Sequence, residues 1–270
     1  MSSHCPPSAC DACQAPKAQL ARLGVAIGEW DHVVALAGNP NTGKSTVFNT
    51  LTGLRQHTGN WPGKTIARAE GGFGYAGKRF KIVDLPGTYS LRSASPDETV
   101  AREFILFGKP DVTVIVADAS SLERNLNLAL QVLQITDRAV LCLNLMDEAE
   151  AHGISVDPRA LASELGIPVV PCAAREGRGI PQLLAEISAV AEGKVTCSPR
   201  KLTWGIPGLQ AAIGDVAQRL LKRFPGLPNT DWIAQRLLEG DRTIAAKVDD
   251  GSIGEISRDH AATARRKDTP

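Results

Sequence analysis

The sequence predicts an α/β fold with a mostly parallel sheet, followed by a small all-α domain. Three observations carry this expectation. Short apolar runs alternate with helix-length segments between residues 31 and 193, as in a parallel sheet covered on both faces. The first run ends in the phosphate-loop pattern G-x-x-x-x-G-K-[ST]. After residue 205 the strand signals stop and helical patterns remain.

In chain order, residues 1–30 read as a tail, with a short helix possible over "KAQLARLGVAI" (17–27). "HVVALAG" (32–38) is a buried strand, and "STVFNTLTG" (45–53) a helix closed by Gly53. Residues 65–85 read as two strands around a glycine-rich turn. A strand (111–118) precedes a helix (121–135) with Leu122, Leu126, Leu130 and Leu133 on one face. A strand (139–145), helix (157–165), strand (167–172) and helix (180–192) complete the sheet domain. Residues 194–205 read as a linker. The domain 206–270 holds helices at 209–224 and 231–241 and a polar stretch to Pro270.

Hydrophobic residues make up 43% and charged residues 22%, an ordinary globular balance. A net charge of +1 argues against a strongly basic nucleic-acid binder, so no nucleic-acid partner is expected. The longest run free of Asp, Glu, Lys and Arg is thirteen residues, short of the roughly 20 a membrane span needs. No signal peptide is read at the N-terminus, so the expected location is cytosolic. Of the six cysteines, Cys142 and Cys172 fall in strand-like runs and Cys197 in the linker. His4, Cys5, Cys10 and Cys13 cluster near the N-terminus. They form either a metal site or part of a flexible tail, because no fourth cysteine follows at iron–sulfur spacing.

The chemistry sits at strand ends. In "GNPNTGKST" (38–46), Gly38 and Gly43 let the backbone curl so that several N–H groups face a triphosphate, with Asn41, Thr42 and Thr46 among the nucleotide-binding residues. Lys44 supplies a point charge, and Ser45 has a hydroxyl small enough to ligate Mg²⁺. "DLPG" (84–87) matches D-x-x-G: Asp84 would hold Mg²⁺ through water and the Gly87 N–H would sense the γ-phosphate. "NLMD" (144–147) matches N-x-x-D. The Asp147 carboxylate can accept two hydrogen bonds from guanine, while adenine leaves it unpaired. Asn144 would brace the loop and touch N7; Leu145 stands where many GTPases have lysine. "CAAREGRGI" (172–180) would present a backbone N–H, that of Ala174 between Ala173 and Arg175, to guanine O6. These motifs together predict a Ras-like P-loop GTPase that takes GTP and GDP. The segment "HTGNWPGKT" (57–65) lies where such proteins keep their first switch, with Thr65 placed for Mg²⁺ and the γ-phosphate.

"GNPNTGKST", "TGNWPGKT", "DLPGTYSL", "SPDE" and "DASSLERNLNLALQ", with "DWIAQRLLEGD" beyond them, resemble the N-terminal cytosolic domain of FeoB-type ferrous-iron transporters. The resemblance covers about residues 32–193 as the GTPase domain and extends into that family's helical, GDI-like domain. It implies a GTPase acting on Fe²⁺ uptake through a C-terminal membrane region absent from this chain. It places the domain at the cytoplasmic face of the inner membrane, with a small FeoA-type protein and a homo-oligomer as partners to consider. It also implies a K⁺ ion beside the phosphates, held by the Asn41 side chain and the carbonyls of Gly59 and Trp61, with the indole as a lid. On this view Asn41, Thr65 and Gly87 serve catalysis, since Thr88 is a poor substitute for the water-orienting glutamine of Ras-like enzymes. The alternative for Trp61 is a hydrophobic anchor. Asp97 reads as the cap of a helix starting there. The rival functions are an RNA-modification or ribosome-assembly GTPase of the TrmE and Era sort, and a stand-alone regulator.

Overall fold

The computed structural model describes residues 20, 23–25, 28–54, 56–92, 95–201 and 205–254. These divide into two compact units, one within Ile27–Leu202 and a second containing the remaining described residues.

The first unit is built on a seven-stranded sheet of order β2-β3-β4-β1-β5-β6-β7. The strands are β1 (His32–Gly38), β2 (Gln56–Asn60), β3 (Ala67–Tyr75), β4 (Lys78–Asp84), β5 (Val112–Asp118), β6 (Ala139–Asn144) and β7 (Val169–Pro171). β1, β4, β5, β6 and β7 run parallel, while β2 and β3 extend the sheet antiparallel. β3 and β4 meet at Ala76-Gly77, both at positive φ (47° and 75°), the backbone a tight hairpin requires. Fully buried runs such as "VLCL" in β6 explain why those strands lack polar alternation. The register pairs Leu36 with Asp84, Gly38 with Val116 and Asp118 with Asn144. The carboxyl ends of the parallel strands therefore lie at one edge, where such sheets bind ligands.

Among the described residues six α-helices accompany the sheet: α1 (Lys44–Thr52), α2 (Pro96–Glu103), α3 (Leu122–Ile135), α4 (Met146–Ala151), α5 (Pro158–Leu165) and α6 (Ile180–Ala191). Gly53 closes α1 in the left-handed conformation, as its position predicts. Two helix expectations are corrected. The buried stripe of α3 is Asn125, Leu128, Ala129, Val132 and Leu133, so Leu126 and Leu130 flank it. The cap of α2 is Ser95, whose hydroxyl accepts from the Glu98 N–H at 3.2 Å, with Pro96 as the first helical residue. Asp97 lies inside the first turn instead. A wide turn, Phe104–Gly108, continues α2 and is wholly buried.

The boundaries also shift. In the stretch read as a linker, the Ser198 N–H donates to Gly166 O at 2.9 Å and Lys201 Nζ to Leu133 O at 2.7 Å. Val195 and Cys197 pack against the core. In the stretch read as a tail, Leu20 and Val25 are buried, Glu29 pairs with Arg79 at 2.6 Å, and the Trp30 indole fills the space above Gly72. The N-terminal metal candidates His4, Cys5, Cys10 and Cys13 lie outside the described residues.

The second unit contains α7 (Leu209–Arg223), α8 (Thr230–Leu238) and α9 (Arg242–Asp249). Ile213, Ala217, Leu220, Ile233, Ala234, Ile244 and Val248 turn inward. α9 occupies part of the stretch read as polar; Asp241 caps it, accepting from the N–H groups of Thr243 and Ile244. No helix among the described residues is long and apolar enough to cross a membrane.

Candidate nucleotide-binding site

β1 delivers the chain to a loop, residues 39–43, that opens α1. Gly38 has no room for a side chain, because a Cβ there would stand 2.6 Å from Val116 O. Gly43 is left-handed (φ 75°), and a Cβ on it would run into the amide nitrogen of Asn144. Asn41 is also left-handed (φ 66°) and exposed, a conformation asparagine tolerates. Thr42 turns inward and its hydroxyl donates to Asn39 O at 3.0 Å, so only its backbone is available to a ligand. α1 has no acidic residue in its first turn, and its positive end is left unopposed for an anion.

Lys44 Nζ donates to Asp84 Oδ1 and, at 2.8 Å, to Leu85 O. Burial pushes the Asp84 carboxyl above the usual carboxylate range, and the Lys44 charge and hydrogen bond oppose that rise. The lysine thus pairs with the D-x-x-G aspartate. Ser45 and Thr46 are exposed beside it. The Ser45 hydroxyl and the Asp84 carboxylate are hard oxygen donors at adjacent loop ends, and they suit Mg²⁺. Gly87 is exposed, and a Cβ there would stand 3.4 Å from Pro40 N. Thr88 is 5% exposed, and its N–H donates to Gly38 O at 3.3 Å.

The base-recognition segments are tied together by one amide. Asn144, 1% exposed, donates from Nδ2 to Thr42 O at 3.0 Å and accepts at Oδ1 from the Ala174 N–H at 3.0 Å. The bracing role expected of Asn144 is thus filled by these two bonds, which join the phosphate loop to the loop after β7. The Ala174 N–H expected for guanine O6 is already engaged by that brace. Leu145 sits left-handed (φ 59°) at the start of α4 and reaches toward Gly43. Asp147 lies half-buried in the first turn of α4. Ala173 and Ala174 are buried and Arg175 is exposed. The Met146 N–H donates to Cys172 O at 3.1 Å, and the Cys172 N–H to Leu143 O at 2.7 Å.

The segment 57–65 departs from the loop that its composition suggests. Residues 56–60 form the edge strand β2, with Gly59 paired to Arg68. Trp61 is 4% exposed. Its ring meets Phe104 edge-on at 5.5 Å, and the Arg68 guanidinium lies 5.4 Å from it. In this conformation the indole is an anchor and not a lid. The Trp61 carbonyl accepts the Lys64 N–H at 3.0 Å, and Thr65 is exposed.

A family model described as ferrous iron transport protein B matches residues 32–187. The chain belongs to this family. Among FeoB relatives, the Fe(2+) transporter FeoB of Salmonella choleraesuis (strain SC-B67) is 41% identical over 212 residues. That match covers 77% of this chain and 27% of the relative, so the chain spans about a quarter of the relative's length. The cytosolic domain of L. pneumophila FeoB is 35% identical with a TM-score of 0.70, covering 84% of this chain and 96% of that one. The cytosolic domain of T. maritima FeoB in a GDP form is 32% identical with a TM-score of 0.75, covering 87% and 98%. The sheet unit is a Ras-like P-loop GTPase fold, and the FeoB likeness extends beyond it.

Two features of the site were not foreseen from the sequence. One is the partner of the Asn144 brace in the loop after β7, the Ala174 N–H. The other is Arg178, whose guanidinium reaches Glu150 on α4. The pair is 28 residues apart in sequence, and no local pattern announces it.

Proposed function

We propose that this chain binds GTP and GDP, hydrolyses GTP, and acts as the nucleotide switch of a ferrous-iron transporter. The supporting observation is the Asn144 brace, which ties the phosphate loop, the N-x-x-D segment and the loop after β7 into one slot at the carboxyl edge of the sheet. The curated relatives carry the name Fe(2+) transporter, and the chain corresponds to a minor part of their length. In the whole protein the domain would work at the cytoplasmic face of the inner membrane beside a membrane region. A FeoA-type protein and further copies of the chain are its candidate partners.

Ser45, Thr65 and Asp84 would hold Mg²⁺, which screens the phosphate charge. Asn41 and the carbonyls of Gly59 and Trp61 would hold K⁺, a fixed positive charge in place of an arginine supplied by a partner. The sheet order sets β2 three strands from β1, roughly 14 Å at the usual strand spacing. On this reading the segment 57–65 rearranges when nucleotide binds, with Trp61 leaving its contact with Phe104. Hydrolysis is expected to run about tenfold faster in K⁺ than in Na⁺, with a change in Trp61 emission when a GTP analogue binds. Asn41→Ala should lose the K⁺ stimulation while still binding GDP. A K⁺ stimulation that survives in Asn41→Ala would overturn the cation assignment.

A further inference from the structure

The slot that receives the base has two walls. One is α4, which carries Asp147. The other is the loop from Cys172 to Gly179, closed on itself by the pairing of Ala173 with Arg178 and the Ala173 N–H to Arg178 O bond at 3.1 Å. The inner ends of the walls are joined by buried bonds, Asn144 Oδ1 with the Ala174 N–H and the Met146 N–H with Cys172 O. At the outer rim the join is made by side chains. Arg178 donates from both terminal nitrogens to Glu150, at 3.2 Å to Oε1, 3.3 Å and 3.2 Å to Oε2. Glu150 stands three residues after Asp147 on α4, so the two carboxylates lie on one side of that helix. Arg178 also feels the charges of Glu176 and Asp147.

We propose that the Arg178–Glu150 pair is the outer clamp of the guanine slot and sets how long a guanine nucleotide stays bound. The inference rests on the guanine-nucleotide reading above and adds the residues that govern dwell time. The inner bonds are backbone or fully buried and hold the walls in register. The outer pair is half-exposed on both sides, at 46% and 55%, and can open without unfolding anything. Opening it lets α4, with Asp147, swing from the loop that carries Ala174, and the base then loses its two walls together. Arg178 and Glu150 are positioning residues on this account, since neither needs to touch the nucleotide. Their forked geometry gives the pair a direction that a single contact lacks. Their exposure keeps the energy small and sensitive to salt.

The test is a double-mutant cycle on release of a fluorescent N-methylanthraniloyl GDP, chased with unlabelled GDP in a stopped-flow instrument. Arg178→Ala and Glu150→Gln should each release the nucleotide about threefold faster than the natural chain. The double variant should be no faster than either single one. Added salt should narrow the difference in release rate between the natural chain and the variants. Thermal midpoint and helix content should match the natural chain in all of them, which general damage to the fold would not allow. Singles that release at the natural rate, or a double variant that adds the two effects, would overturn the clamp. A natural chain that fails to bind the labelled GDP at all would overturn the guanine reading itself, and the clamp with it.

Discussion

Lys44→Ala is expected to lower single-turnover GTP hydrolysis by about a hundred- to a thousandfold, the usual loss when one fixed charge is removed from the transition state. In the structure Lys44 is held by Asp84 and by Leu85 O. It therefore stands at the meeting point of the phosphate loop and the D-x-x-G segment. The substitution removes the lysine and leaves the half-buried Asp84 carboxylate without its cation, so the variant should also bind GTP more weakly. α1 keeps its glycine cap and its apolar face of Val47, Phe48 and Leu51, so helix content by circular dichroism should not change. A variant that hydrolyses GTP within twofold of the natural rate would remove Lys44 from the machinery.

The second large effect is on base choice. Asp147→Asn should weaken GTP binding by about a hundredfold and raise affinity for xanthosine triphosphate. The carboxylate offers guanine's N1–H and exocyclic amine two acceptors. An asparagine amide sets an N–H against one of those donors, whereas xanthine carries a carbonyl there and accepts from it. The slot itself should survive the change, because Asn144, and not Asp147, bonds to both flanking loops. Competition binding with the two triphosphates reads the result. An unchanged preference for GTP would mean that Asp147 does not face the base.

Much of this was legible in the sequence, and the particular residues explain why. The phosphate loop, D-x-x-G and N-x-x-D each sit at the end of a run whose apolar content marks a buried parallel strand, such as "HVVALAG" and "AVLCLN". Local pattern and tertiary position coincide there. The edge strand β2 was not legible, because "QHTGN" has neither alternation nor strong strand formers; its pairing with β3 supplies the order. Trp61 has the same cause: its burial depends on Phe104, which lies 43 positions away in the chain. The stretch 194–205 has the proline and charge of a linker, yet Ser198 and Lys201 find distant carbonyls on the sheet unit. Helix α9 is eight residues long and too short for its period to stand out from a polar background. The engagement of Ala174 by Asn144 could not be read either, since the motif names both residues and leaves their mutual geometry open.

The account stands on recognition of a guanine nucleotide at the sheet edge. Calorimetric titration of the purified chain with GDP and with ADP, both with Mg²⁺ present, tests it most directly. Saturable heat with GDP and none with ADP at the same concentrations is the predicted result. Equal binding of the two, or binding of neither, would contradict it.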